Sequence, residues 1–240
     1  MLEVRDLNAF YGKSHIIQGI SFDVPEGDVI GILGRNGVGK TTVLRSILGL
    51  EPPRRTGLVK LGDLDIGSLP PHKIAGAGLG YVPQGRRIFP RLTVMENLIL
   101  PVTKGKVEQS RIEGVFEYFP ALKDRTKQLG NTLSGGEQQM LAIGRAMMSA
   151  PKLIIIDEPT EGLQPSMVFA VRESIKALCG LGITAAIADQ NLENALELCD
   201  KVYVLEKGVI RYQESRENLS MELLHQYLGV SAGDVCEPVL

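Results

Sequence analysis

Apolar and polar positions follow two rhythms along this chain. The first 33 residues read as short strands over Leu2–Leu7, Ile16–Val24 and Asp28–Leu33, with Pro25-Glu26-Gly27 as a turn. Val29-Ile30-Gly31-Ile32-Leu33 is an uninterrupted apolar run, the pattern of a buried parallel strand. Shortly after it, Val43, Leu44, Ile47 and Leu48 share one face of a helix that stops near Gly49. Beyond Gly57–Leu61 the rhythm is less regular, and residues 85–150 read as mostly helical. Strand-like runs resume at Leu153–Asp157, Ile183–Ala188 and Val202–Leu205. Between the first two, Val168, Val171, Ile175 and Leu178 form a helical stripe, which reads as core packing. Val202–Leu205 and Val209–Tyr212 flank Glu206-Lys207-Gly208 as a hairpin. The pattern predicts one α/β domain over 1–230, with its core at about 1–84 and 151–230. A helical subdomain is inserted at about 85–150, and 231–240 is a frayed tail.

Composition narrows the function classes. The 240 residues are 44% hydrophobic and 22% charged, enough to bury a sizeable core. A formal net charge of −2 gives no broad electrostatic footprint for nucleic acid. Arg54-Arg55 and Arg86-Arg87 read as solvated loop charges. Cys179, Cys199 and Cys236 are odd in number and lack metal-ligand spacing, which suits free thiols in a reducing cytosol. His15, His72 and His225 show no metal arrangement either. Charges in Met1–Asp6 argue against a signal peptide, and no apolar run reaches the ~20 residues of a membrane helix. At a membrane, other chains would supply the span.

Three motifs carry the chemistry. Gly34-Arg35-Asn36-Gly37-Val38-Gly39-Lys40-Thr41-Thr42 follows a strand and opens a helix, the context a phosphate loop needs. Its glycines let backbone N–H groups point inward, and the helix N-terminus adds about half a positive charge. Lys40 should reach the β- and γ-phosphates, and the Thr41 hydroxyl should ligate Mg²⁺. Leu153-Ile154-Ile155-Ile156-Asp157-Glu158 is an apolar strand ending in two carboxylates. Asp157 can hold Mg²⁺ through its water shell, while Glu158 can take a proton from an attacking water. In Leu133-Ser134-Gly135-Gly136-Glu137, Ser134 reads as an N-cap and Glu137 completes a capping box. Two exposed glycines behind that cap would leave N–H groups bare for a second anion.

The set Gly34–Thr42, Gln84, Leu133–Gln139 and Leu153–Glu158 resembles the nucleotide-binding subunit of ABC transporters over about residues 1–230. That resemblance implies an α/β P-loop NTPase core with a mixed sheet, an N-terminal antiparallel β-subdomain and an inserted α-helical subdomain. It implies ATP and Mg²⁺, with two ATP molecules sandwiched head to tail between two such subunits. By it, Ser134, Gly135 and Gly136 contact the γ-phosphate held by the partner, and Tyr11 stacks on adenine. Gln84, in Tyr81-Val82-Pro83-Gln84, senses Mg²⁺ or the attacking water and links to the membrane subunits.

Two positions depart from the common pattern. Gln190, in Ala188-Asp189-Gln190-Asn191, stands where many relatives carry a histidine near the γ-phosphate. Gln164 replaces the usual aspartate in Thr160-Glu161-Gly162-Leu163-Gln164-Pro165. A glutamine can hydrogen-bond a phosphate oxygen or the water but cannot titrate near neutral pH. Both substitutions are features of the branch that imports branched-chain amino acids and urea. The stretches Tyr11–Ile16, Leu33–Gly39 and Tyr81–Pro90 look most like the urea-type ATPase of that branch.

The resemblance therefore implies an ATP-hydrolysing subunit peripheral to the cytoplasmic face of the plasma membrane. Its partners would be a second ABC ATPase, identical or homologous, two transmembrane permease subunits and an extracytoplasmic solute-binding protein, with no nucleic acid. The segment Ile88–Val94 is apolar enough to dock a membrane-subunit helix. A soluble ABC ATPase acting on ribosomes or DNA is the alternative, but such proteins usually fuse two cassettes or carry a long coiled-coil insertion. A small-molecule kinase would need neither Glu158 beside Asp157 nor the Ser134 motif.

Overall fold

The computed structural model describes residues 1–102, 107–180 and 182–228. The expected tail at 231–240, with Cys236, and part of the charged stretch 104–111 lie outside the described residues. Two sheets organise the rest. The first is antiparallel, in the order β2-β1-β4-β5, from β1 (Leu2–Tyr11), β2 (Ser14–Val24), β4 (Arg54–Leu61) and β5 (Leu64–Asp65). The second runs β10-β9-β3-β8-β7-β6. Its strands are β3 (Val29–Leu33), β6 (Leu79–Val82), β7 (Leu153–Asp157), β8 (Thr184–Asp189), β9 (Lys201–Glu206) and β10 (Val209–Ser215). All its pairings are parallel except the closing β9–β10 hairpin.

The helices cover both faces of that sheet: α1 (Lys40–Ile47), α2 (Pro71–Gly76), α3 (Val94–Ile99), α4 (Gln109–Tyr118), α5 (Pro120–Lys123), α6 (Gly135–Met147), α7 (Pro165–Cys179), α8 (Leu192–Leu198) and α9 (Met221–Leu228). The apolar run of β7 shows why its strand does not alternate with polar residues. Ile154 and Ile156 join a core beneath α3–α8, whereas Leu153 and Ile155 join a second core with α1 and the antiparallel sheet. Successive side chains point to opposite faces, so a strand covered on both sides must be apolar throughout. The stripe on α7 is likewise core, with Val171, Ile175 and Leu178 buried.

The inserted helices begin at Val94, not at residue 85. Gly85, Arg86 and Arg87 have φ of 74°, 67° and 44°, and Pro90 follows, so 85–93 cannot be helical. Between Leu61 and Gly85, where the sequence rhythm was weak, lie β5, α2 and β6. β6 is the edge strand that delivers Gln84. The loops after β3, β6, β7 and β8 all leave the same, C-terminal edge of the parallel strands, where open α/β sheets bind ligands. Among the described residues, no helix is long and apolar enough to cross a membrane.

Candidate functional site

A cleft of about 520 Å³ opens at that edge, lined by Tyr11, Asn36, Gly37, Gly39, Lys40, Thr41, Thr42, Gln84 and Glu158 together with Ser14 and Ile16. Its floor is the turn from β3 into α1. Gly39 caps α1 with φ of 115°, and a Cβ there would come within 2.6 Å of Ile17 on β2. Both the left-handed backbone and the close strand leave glycine as the residue that fits. The loop can then turn its N–H groups and the α1 N-terminus toward one point, the arrangement that binds phosphate. Gly34 lies at the start of the turn, against the backbone of Leu205 on β9.

Lys40 is 4% exposed and Glu158 7%. Their charges meet at 3.1 Å, and the Lys40 ammonium also donates to the carbonyls of Gly34 at 2.8 Å and Arg35 at 3.3 Å. Gln84 donates its amide N–H to Glu158 at 2.8 Å and to Glu161 at 2.9 Å. Glu158 itself has φ of 47°, a left-handed turn that swings its side chain away from the strand line of Asp157. The two adjacent acids thus face different surroundings, as their position at a strand end predicted.

Asp157 lies beneath the cleft and is fully buried, with neither carboxylate oxygen hydrogen-bonded among the described residues. Burial pushes its carboxyl up to about 6. The Thr41 hydroxyl close by moderates that rise, as does Lys40, while the charge of Glu158 adds to it. A buried, unpartnered carboxylate beside a threonine hydroxyl fits a hard divalent cation, whose remaining ligands would be phosphate oxygens and water. No group of three His, Cys, Asp or Glu stands ready to hold a metal by itself among the described residues.

Gln190 does not line the cleft; its side chain is exposed at the end of β8. Its loop is nevertheless held firmly. Asp189 is buried and accepts the N–H of Gln190 at 2.7 Å and of Asn191 at 2.9 Å. Burial raises the Asp189 carboxyl, and these hydrogen bonds with that from Asn194 work against the rise. Tyr11 ends β1 at the cleft rim, 36% exposed, with its ring free to meet a flat partner.

The capping box is formed as expected. Ser134 Oγ accepts the N–H of Glu137, and the Glu137 carboxylate accepts the N–H of Ser134 at 2.8 Å. The two glycines behind it are not both exposed, which corrects that part of the expectation. Gly136 is buried beneath Met167 of α7, whose sulfur occupies the place a Cβ would take. Gly135 is half-buried, with the Arg86 guanidinium 3.2 Å from where its Cβ would stand. Glycine at 136 is thus demanded by helix packing. Ser134, Gly135 and Gly136 do not line the cleft of their own chain.

Arg86 is the residue that sequence reasoning missed. It reads as a solvated loop charge, yet it lies over the start of α6 and donates to the Gly162 carbonyl at 3.4 Å. Only the left-handed turn through residues 85–87 brings it there. Residues 17–161 match the family model described as "ABC transporter".

The chain belongs to the ABC transporter family. Its sequence is similar to the high-affinity branched-chain amino acid transport ATP-binding protein BraG of Pseudomonas aeruginosa, 41% identical over 88% of this chain and 91% of that protein. It is also similar to the probable branched-chain amino acid transport ATP-binding protein LivF of Archaeoglobus fulgidus, 36% identical over 91% of this chain and 94% of that one. Among solved structures, the ADP conformation of an ATP-binding cassette of an ABC transporter superimposes with a TM-score of 0.78 at 26% identity. That match covers 96% of this chain and 95% of the other. This ABC ATPase therefore has the P-loop α/β core, the antiparallel N-terminal sheet and the helical insertion that its motifs implied.

Proposed function

We propose that this ABC ATPase energises an importer of the branch that carries branched-chain amino acids and urea. The observation that carries the reading is one cleft holding a glycine cradle, Lys40 and Glu158 while the Ser134 helix start faces elsewhere. A second cassette, identical or homologous, would bring its own Ser134, Gly135 and Gly136 to the open side of the nucleotide. Tyr11 would stack on adenine, and the loop from Gly34 through Asn36, Gly37 and Gly39 to Lys40, Thr41 and Thr42 would grip the phosphates. Thr41 and Asp157, with Gln84 nearby, would hold Mg²⁺, which neutralises phosphate charge and polarises the bond to be cut.

Glu158 accepts a proton as a water oxygen attacks the γ-phosphorus, and the bond to the β–γ bridging oxygen breaks, leaving ADP and phosphate. Lys40 and the α1 N-terminus stabilise the charge that develops. Gln190, outside the lining of the cleft, would have to turn inward to hydrogen-bond the γ-phosphate or the water, and would take no part in proton transfer. Cassette closure on ATP and reopening after hydrolysis would drive two permease subunits fed by an extracytoplasmic solute-binding protein, with this chain on the cytoplasmic side.

The permease contact has a candidate surface. A groove of about 1030 Å³ beside the Gln84 strand is lined by Leu50, Leu64, Tyr81, Pro101, Arg111 and Arg145. Phe89, from the segment expected to dock a membrane helix, is 46% exposed and lies under the Arg145 guanidinium at 5.2 Å. Ile88 and Val94 pack inward instead.

For the solute, BraG and LivF support branched-chain amino acids, and the stretches Tyr11–Ile16 and Tyr81–Pro90 support urea. Reconstitution with the permeases and binding protein, in vesicles loaded with ATP, tests both. Accumulation of labelled leucine or of labelled urea, abolished by Lys40→Ala, is the expected result. ATP hydrolysis with no accumulation of either would overturn the assignment.

A further inference from the structure

The two loops that bear on hydrolysis, 158–164 after β7 and 189–191 after β8, are far apart in sequence and meet through one side chain. Asn194, in the first turn of α8, is 1% exposed. Its amide nitrogen donates to Thr160 Oγ1 at 2.7 Å and to Asp189 Oδ2 at 2.7 Å. Asp189 Oδ1 takes the backbone N–H of Gln190 and of Asn191, and Asn191 Oδ1 takes the N–H of Asn194 at 3.1 Å. On the other side, the Glu158 N–H donates to Ala188 O at 2.8 Å. Thr160, Asp189 and Asn194 are all buried, so water cannot replace a bond that is lost.

We propose that Asn194 is a positioning residue for hydrolysis, holding the Glu158 and Gln190 loops at one separation through Thr160 and Asp189. The inference rests on the roles given above to Glu158 and Gln190. Asn194 touches no nucleotide. Its two amide hydrogens face two acceptors on different loops, which neither an alanine nor an aspartate can reproduce. In Asn194→Asp, two carboxylates face each other and Thr160 loses its donor. Adding Asp189→Asn closes the network again with its polarity reversed. Asn at 189 keeps an oxygen for the two backbone N–H groups and offers its amide N–H to Asp at 194. The Thr160 hydroxyl donates to that same carboxylate oxygen, which takes the place of the Asn194 nitrogen.

Steady-state ATP hydrolysis and fluorescent-nucleotide binding by the full chain test this. Asn194→Asp should lower kcat by roughly tenfold or more, with KM and nucleotide affinity within about twofold of the parent. The Asp189→Asn, Asn194→Asp pair should recover most of the lost kcat. Should Asn194→Asp not fold, Asn194→Ala gives the same kcat-against-KM reading without a buried charge. An unchanged kcat, a loss of nucleotide affinity in step with kcat, or a double variant that binds ATP yet turns over no faster than Asn194→Asp would each overturn the proposal. Glu158→Gln run alongside separates the two levels. If it is silent while Asn194→Asp is normal, this inference alone fails; if it hydrolyses normally, the reading of Glu158 fails first.

Discussion

At the scale of single residues, the proposed mechanism concentrates its chemistry on Glu158. Its carboxylate is buried, paired with Lys40 and bonded by Gln84, on a backbone turned left-handed at the end of β7. Glu158→Gln keeps the volume and the hydrogen-bonding reach but cannot accept the proton of an attacking water. Turnover should fall by roughly 10²–10⁴ with ATP binding retained, the scale of general-base removal. Single-turnover hydrolysis with radiolabelled ATP reads the first and equilibrium binding the second, and near-normal hydrolysis would exclude Glu158 as base. Lys40, Asp157 and Glu158 were legible in the sequence because each sits at a fixed step from an apolar run, and the strand carries it to the cleft. Arg86 was not legible. Its position depends on three successive left-handed residues, a backbone state that non-glycine side chains rarely announce.

Among elements, α6 separates folding from function. It starts on the same capping box as α3, where Thr93 and Glu96 bond reciprocally. Ser134→Ala and Thr93→Ala should each cost about 1 kcal/mol, read as a lower urea midpoint. Only Ser134→Ala should also slow ATP hydrolysis, by about tenfold or more, because its hydroxyl is assigned to a partner's γ-phosphate. Equal losses of activity in the two variants would reduce Ser134 to a cap. The elements that pattern reading found, β3, α1, β7, α7 and β9, bury a continuous run or a clear stripe, and the Lys207-Gly208 turn marks the return into β10. Those it passed over, β5, α2 and β6, are short. α2 and β6 begin or end beside Pro71, Gly76, Gly78 and Pro83, and packing against larger neighbours supplies what their own periodicity lacks.

For the whole molecule, the deciding question is whether two cassettes close on ATP. Saturated with ATP, the Glu158→Gln chain should double in mass by light scattering, alone or with a homologous ATPase. Gly135→Asp in that background should hold it monomeric, since a carboxylate would face the partner's γ-phosphate. The same substitution sets an acid in the first turn of α6, which favours the helix, and its Cβ crowds only the flexible end of Arg86, which can shift. Loss of ATP-driven association without loss of stability is the expected pair of results. Association that persists in Gly135→Asp would mean the Ser134 helix is not at the interface.

The ion pair between Lys40 and Glu158 carries one more consequence. In the proposed mechanism, one ammonium with three N–H donors would divide its charge between Glu158 and the phosphates. Under the proposed roles the cation that would grip the fuel also touches the carboxylate that would take the proton, so Lys40→Ala should disturb both jobs at once.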